Sequence, residues 1–153
     1  MLRCQCPCAV SLRMLSIPSG VQVLHPPVQL LDQEAAERLL SQDTMTIDEA
    51  LLARLRRHPF LARRPPKTAD RGEFGRDYVE RVAGPLLRRR PADALATLTY
   101  FSAWTVFDAY RRFVLPRTRI DRVLLSGGGA RNPVLVAHLR ECLAPIPVCF
   151  TED

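Results

Sequence analysis

The chain has almost no lysine, no long apolar run and no acidic residue among its first 31 positions. Lys67 is the only lysine among 22 basic residues, so the net charge of +6 comes almost wholly from arginine. No stretch approaches the roughly 18 uninterrupted apolar residues of a membrane-spanning helix, and the sequence therefore does not support a membrane-spanning class. With 153 residues, 47% of them hydrophobic and 25% charged, the chain has the balance of one globular domain or of a piece of a larger one.

The acid-free segment 1–31 carries Arg3 and Arg13 and shows no hydrophobic periodicity. Arginine without acid is also a feature of transit peptides. Arg13 interrupts the apolar run, however, and no small-residue cleavage site follows, so a secretory signal is not supported. We expect residues 1–31 to form an atypical or disordered N-terminal extension.

The five cysteines do not match a common metal-binding pattern. Cys4, Cys6 and Cys8 alternate, whereas zinc ligands usually come in pairs separated by about two to four residues. Cys142 and Cys149 lie in or beside apolar elements, where cysteine behaves as a small hydrophobic residue. The sequence therefore predicts reduced thiols and no metal site.

A basic stretch runs from Arg54 to Arg90, with twelve basic and four acidic residues. A patch of this kind could bind nucleic acid or an acidic ligand. No helix-turn-helix, RNA-recognition or finger pattern accompanies it, and arginine replaces lysine throughout the chain. A solvated basic face is therefore the favoured interpretation, with nucleic acid as the less favoured alternative.

Helical spacing predicts helices over residues 33–41, 47–57, 73–82 and 92–114. Thr46 followed by Glu49 has the capping-box pattern for the second of these helices. The fourth helix is the longest, opens after Pro91 and is apolar nearly all round, which predicts a central packing helix. We expect its Phe101 and Trp104 to be largely buried and to carry no chemistry.

The last third of the chain has the pattern of a βαβ unit. An apolar strand over 120–125 precedes three glycines, a helix over 133–142 follows, and a second short strand is predicted over 147–150. In such units the ligand crevice lies beyond the carboxyl end of the first strand. The crevice should therefore lie at the glycines.

Gly127, Gly128 and Gly129 allow positive φ and close approach of a ligand to the backbone. Asn132 is a good N-cap and Pro133 a good first helical residue, so unpaired backbone N–H groups would point back at the glycines. Such a terminus attracts phosphate or ribose oxygens. We expect Gly127, Gly128, Gly129 and Asn132 to bind a nucleotide, and a tight turn that needs glycine only for packing is the alternative.

Two separated stretches together resemble the C-terminal half of the anhydro-N-acetylmuramic acid kinase family. The matching residues are His58, Pro59, Phe60, Pro65, Pro66, Lys67, Thr68, Arg71 and Phe74, followed by segments 96–99 and 127–133. The resemblance covers roughly residues 32–150. It implies a place in the superfamily of sugar kinases, actin and Hsp70, whose two α/β domains flank an ATP cleft.

On this resemblance, residues 32–153 are a helix-rich α/β fragment of the C-terminal actin-like ATPase (ribonuclease H-like) domain, with a terminal βαβ unit. The family uses ATP and Mg²⁺ to open the anhydro ring of a cell-wall amino sugar, 1,6-anhydro-N-acetylmuramic acid, with water. The freed 6-oxygen is phosphorylated, which gives N-acetylmuramic acid 6-phosphate. The resemblance assigns the nucleotide to the glycine turn, makes Lys67, Thr68 and Arg71 candidate cleft-lining residues, and implies a cytoplasmic location and a family homodimer.

The chain also departs from the family pattern. The family continues its proline-lysine loop with Ser-Thr-Gly-Arg-Glu, whereas residues 68–72 read Thr-Ala-Asp-Arg-Gly and the acid moves to Glu73. The family's phosphate loop and its Asp-Thr-Gly-Pro-Gly-Asn segment, which carries the general base, are not found in these 153 residues. We therefore expect no catalytic residue, no Mg²⁺ ligand and an incomplete, inactive kinase fragment, with a non-catalytic nucleotide-binding or interaction module as the alternative.

Overall fold

The computed structural model describes residues 45–67, 69 and 71–151. The helix expected over 33–41, the extension expected over 1–31 and the three N-terminal cysteines lie outside these residues. The elements in chain order are α1 (Glu49–Arg56), α2 (Pro59–Ala62), α3 (Arg71–Phe74), α4 (Arg76–Arg89), α5 (Pro91–Ala109), a π-helix (Tyr110–Val114), β1 (Val123–Leu125), a 3-10 helix (Gly128–Arg131), α6 (Pro133–Leu143) and β2 (Val148–Phe150).

Helix α1 is capped by Asp48, not by Thr46 as the capping-box pattern predicted. The Asp48 carboxylate accepts a hydrogen bond from the Leu51 amide at 2.8 Å. The amide of Thr46 instead donates to Asp93 Oδ1 at 2.8 Å, which joins the start of α1 to the start of α5. Aspartate is at least as good an N-cap as threonine, and Thr46 is instead hydrogen-bonded to Asp93 at the start of α5.

Helix α4 extends beyond its expected end. The Gly84-Pro85 pair was predicted to follow a helix ending near residue 82, but α4 continues through both residues to Arg89. Proline inside a helix costs one backbone hydrogen bond and strains the preceding turn. Leu86 and Leu87, however, pack against the hydrophobic core, so burial of this face compensates for the lost bond.

Helix α5 is the central packing helix, as predicted, and Pro91 lies in its first turn. It contacts α1, α4 and α6 and joins two hydrophobic clusters, one under α1, α2 and α4 and one under the strands and α6. Phe101 is buried, with 5% exposure. Trp104 is partly buried: it packs against the first cluster, and the Arg56 guanidinium lies 4.6 Å from its ring centroid. Within the described part of the chain, no helix is long and apolar enough to cross a membrane.

The predicted α-helix over 92–114 changes character at Tyr110. The segment Tyr110–Val114 is a π-helix, and the Leu115 amide donates to Tyr110 O at 2.9 Å. This wider turn has no signature in hydrophobic spacing, since its residues continue the apolar pattern of α5. π-Helical turns are often found at functional sites.

The predicted βαβ unit is confirmed. Strands β1 and β2 are parallel, with Val123 opposite Val148 and Leu125 opposite Phe150, and α6 connects them. The strand was expected to be buried on both faces, but Leu124 is 57% exposed. In the described chain, α5 and α6 cover one face of this two-stranded sheet, and from β1 the alternate residues Val123 and Leu125 contribute to the second cluster. The result is a helix-rich α/β fold with a small parallel sheet.

Candidate functional site

Gly127 lies one residue beyond the carboxyl end of β1, after Ser126, and its backbone conformation requires glycine. Its φ and ψ are 82° and −176°, in a region that only glycine adopts without strain. Across the residues that the structure describes, it is the one with positive φ. The sequence predicted positive φ in this turn, and the structure assigns it to this single position.

Gly128 and Gly127 both face open space. A Cβ atom added at either residue meets no heavy atom within 4 Å, whereas at Gly129 it would lie 3.7 Å from Leu135 Cδ2, an ordinary contact. Packing within the described chain therefore does not require glycine at 127 or 128. The backbone there is accessible to a ligand.

Asn132 caps α6 as predicted. Its Oδ1 accepts hydrogen bonds from the amides of Val134 and Leu135, both at 3.0 Å, and its carbonyl accepts from Val136 at 3.1 Å. Pro133 has no N–H group. The expectation of several unpaired amides at this helix terminus is therefore wrong, because the cap satisfies them; what remains for an anion is the helix dipole.

Two backbone hydrogen bonds close the glycine turn, and both are donated by residues that follow the glycines in the chain. The Ala130 amide donates to Gly127 O at 3.1 Å and the Asn132 amide to Gly129 O at 3.2 Å. The amides of the glycines themselves do not take part in these two bonds. At the same edge of the sheet, the amide and hydroxyl of Thr151 donate to Leu125 O at 3.0 and 3.3 Å. Thr151 is therefore bonded to the last residue of β1, at the edge from which the glycine turn begins.

Lys67 is held by the protein rather than extended into solvent. Its Nζ donates to Phe60 O at 3.0 Å and to Leu61 O at 3.3 Å, and it lies 4.7 Å from the Phe60 ring centroid and 5.7 Å from that of Phe113. Burial lowers the pKa of Lys67, the nearby Arg112 lowers it further, and Asp108 opposes both effects. Of the other candidate cleft-lining residues, Thr68 lies outside the described residues, and only the backbone of Arg71, at the start of α3, is described.

The sequence analysis missed a buried charge next to this lysine. The Asp108 side chain is only 5% exposed and pairs with Arg111 at 3.0 Å and with Arg112 at 2.9 Å. Arg112 Nη1 also donates to Leu61 O at 3.5 Å, the carbonyl that Lys67 uses. One signal was present in the sequence, since an aspartate with arginines three and four residues later interrupts an otherwise apolar helix.

The remaining motif residues order the start of the proline-lysine loop. His58 Nδ1 accepts from the Phe60 amide at 3.2 Å and so caps α2. The displaced acid, Glu73, forms an ion pair with Arg63. Phe74 packs its ring against His58. These contacts are structural, and among the described residues none of them joins Lys67 directly to the glycine turn.

Comparison with known proteins matches these two stretches to one family. The anhydro-N-acetylmuramic acid kinase family model matches residues 31–153. A protein of Salinibacter ruber (strain DSM 13855 / M31) named anhydro-N-acetylmuramic acid kinase is 42% identical over 110 residues, which are 71% of this chain and 28% of the relative. The protein of the same name from Clostridioides difficile (strain 630) is 34% identical over 107 residues, 70% of this chain and 28% of the relative. This chain thus spans 28% of the length of each of these curated relatives.

Proposed function

Because the chain belongs to the anhydro-N-acetylmuramic acid kinase family, we propose that it forms the nucleotide-facing part of an ATP-dependent sugar kinase. In the proposed reaction, water opens the ring of 1,6-anhydro-N-acetylmuramic acid and the freed 6-oxygen receives the γ-phosphoryl group of ATP. The proposed architecture is a partial actin-like ATPase domain over residues 32–153. The helix-rich α/β fold with a parallel two-stranded sheet is compatible with it.

The open glycine turn at the carboxyl end of β1 is the observation that carries this proposal. Ligands of open α/β sheets bind beyond the carboxyl ends of the strands. At that edge, Gly127 and Gly128 leave the backbone uncovered, and Asn132 fixes the start of α6. Phosphate or ribose oxygens would accept hydrogen bonds from glycine amides there, aided by the helix dipole.

Lys67, Thr68 and Arg71 are proposed to line the same cleft on the side of the proline-lysine loop. Support comes from Lys67, whose ammonium contacts Phe113 in the π-helix, the element that precedes β1. A lysine in this place would supply a point charge for a nucleotide phosphate.

The described residues contain no group of three or more His, Cys, Asp or Glu side chains that could hold a metal ion by themselves. Mg²⁺ in proteins is held by carboxylates together with substrate phosphates. We therefore assign no step of the reaction to a metal ion held by this part of the chain.

Calorimetric titration with ATP tests the proposed nucleotide site. We expect the chain to bind ATP and Gly128→Val to weaken binding at least about tenfold, roughly 1.4 kcal/mol, because the added side chain occupies the space that the nucleotide needs. Gly128 is not in the left-handed region, so the variant should fold normally. Ala137→Val, on the exposed side of α6, adds bulk away from the turn and is the matched control.

Two results would contradict the proposal. Wild-type chain that fails to bind ATP at millimolar concentration rules out the nucleotide site. Equal ATP affinity in wild type and a folded Gly128→Val variant would mean that the nucleotide binds away from the glycine turn.

A further inference from the structure

Two cations from different parts of the chain share one acceptor. Lys67 Nζ and Arg112 Nη1 both donate to the carbonyl oxygen of Leu61, at 3.3 and 3.5 Å. Lys67 comes from the proline-lysine loop and Arg112 from the π-helix, 45 positions later in the chain. Two positive groups converge on one carbonyl only where a counter-charge offsets their repulsion.

Asp108 supplies that counter-charge. Its carboxylate is buried one turn before Arg112 and accepts hydrogen bonds from Arg112 Nε and Arg111 Nη2, both at 3.0 Å. The π-helix begins two residues after Asp108, and the same turn carries Phe113, whose ring lies 5.7 Å from Lys67 Nζ. The π-helical turn therefore presents a guanidinium and an aromatic ring to one lysine.

The structure assigns Asp108 a positioning role: it offsets the charge of Arg112 and so keeps the Lys67 ammonium bound to the Phe60 and Leu61 carbonyls. This role rests on the proposed function in one respect, that Lys67 lines the nucleotide cleft. Without Asp108, the unopposed Arg112 would repel the ammonium. Without Arg112, the carboxylate would attract the ammonium more strongly.

Four charged groups act on Lys67. Arg112 and Asp108 belong to α5 and the π-helix, Arg63 follows α2, and Glu73 lies in α3. Arg112 and Arg63 lower the pKa of Lys67, whereas Asp108 and Glu73 raise it. Arg111 shares the Asp108 carboxylate with Arg112.

Because Lys67 is the only lysine, lysine-selective ¹³C labelling of the full chain gives a single side-chain signal whose shift can be titrated. We expect the pKa of Lys67 to fall in Asp108→Asn and to rise in Arg112→Gln. Arg111→Gln, which removes the other arginine of the same carboxylate, should raise the pKa of Lys67 less than Arg112→Gln does and is the matched control.

Opposite directions separate this role from simple structural support. If the pair only held the loop in place, losing either member would expose the amine and raise its pKa in both variants. Shifts in the same direction, or equal effects of Arg111→Gln and Arg112→Gln, overturn the proposal. If Asp108→Asn fails to fold, comparing the pKa of Lys67 in Arg111→Gln and Arg112→Gln still tests the proposal. The titration contains no nucleotide, so its result is independent of whether ATP binds at the glycine turn.

Discussion

At the scale of single residues, the three glycines of the turn have different roles. Gly127 is needed because of its backbone conformation, Gly128 faces open space and Gly129 lies at ordinary distance from Leu135. The sequence identifies the turn but does not distinguish these positions, because φ at each glycine depends on how the turn closes. Gly128 has no positive φ, so substitution there tests the ligand rather than the fold.

The Asn132 cap and the Lys67 environment mark what sequence reasoning can and cannot reach. Asn132 was predicted correctly because capping involves only the next few residues of the chain. Asp108 was missed because its effect on Lys67 requires the π-helical turn and contacts across more than 40 positions. A local pattern therefore predicts the site's backbone, whereas its electrostatics follow from tertiary packing.

His58 should make stability depend on pH. Burial lowers the pKa of His58 from its usual 6.5, with Glu73 opposing and Arg63 and Arg81 adding to the effect. The unfolded state therefore takes up the proton first, and stability present above pH 6.5 is lost as the pH falls from there toward the lower folded pKa. Protonation would also compete with the hydrogen bond that Nδ1 accepts from Phe60.

Urea unfolding at about pH 7.5 and 5.5 measures this effect. His58→Asn retains an N-capping side chain without a titrating group and is the comparison. We expect wild type to lose more stability than His58→Asn between the two pH values. Identical losses would show that His58 does not titrate differently in the folded state.

At the scale of elements, strong local signals were predicted well and boundaries set by packing were not. The start of α5 at Pro91 and the strand-turn-helix order at β1 follow from residues next to one another. The end of α4 was misplaced because Leu86 and Leu87 find a core to pack against, which Gly84-Pro85 alone does not reveal. The exposed face of β1 was missed because the strand's own sequence does not show that helices of the described chain cover only one face of the sheet.

Of the two aromatic residues Phe101 and Trp104 in α5, truncating Trp104 should lower the free energy of unfolding less than truncating Phe101. Phe101→Ala should cost about 3 to 5 kcal/mol because Phe101 is fully packed. Trp104→Ala should cost less, about 1 to 2 kcal/mol, since Trp104 is only partly buried and loses mainly edge packing and the Arg56 contact. Urea unfolding followed by circular dichroism compares the two, and equal costs would place Trp104 inside the core.

At the scale of the whole molecule, nucleotide binding and catalysis are separate properties. The glycine turn and the α6 cap lie within this chain, whereas the family's general-base segment does not occur in its sequence. Phosphoryl transfer depends on positioning and electrostatic stabilisation of the reacting groups. Removing a general base alone typically costs about 10² to 10⁴-fold in rate. Two of the described carboxylates, Asp108 and Glu73, are already paired with arginines.

The most direct test is a coupled ADP-release assay on this chain alone at micromolar concentration, with ATP, Mg²⁺ and 1,6-anhydro-N-acetylmuramic acid. A non-catalytic nucleotide-binding module and an inactive kinase fragment both bind ATP without turnover, so calorimetry on the same sample establishes that the nucleotide is bound. We predict ATP binding with no sugar-dependent ADP release above the enzyme-free control. Turnover in the ordinary enzyme range of about 1 to 10³ per second would contradict the account, because another carboxylate of this chain would then have to act as the base.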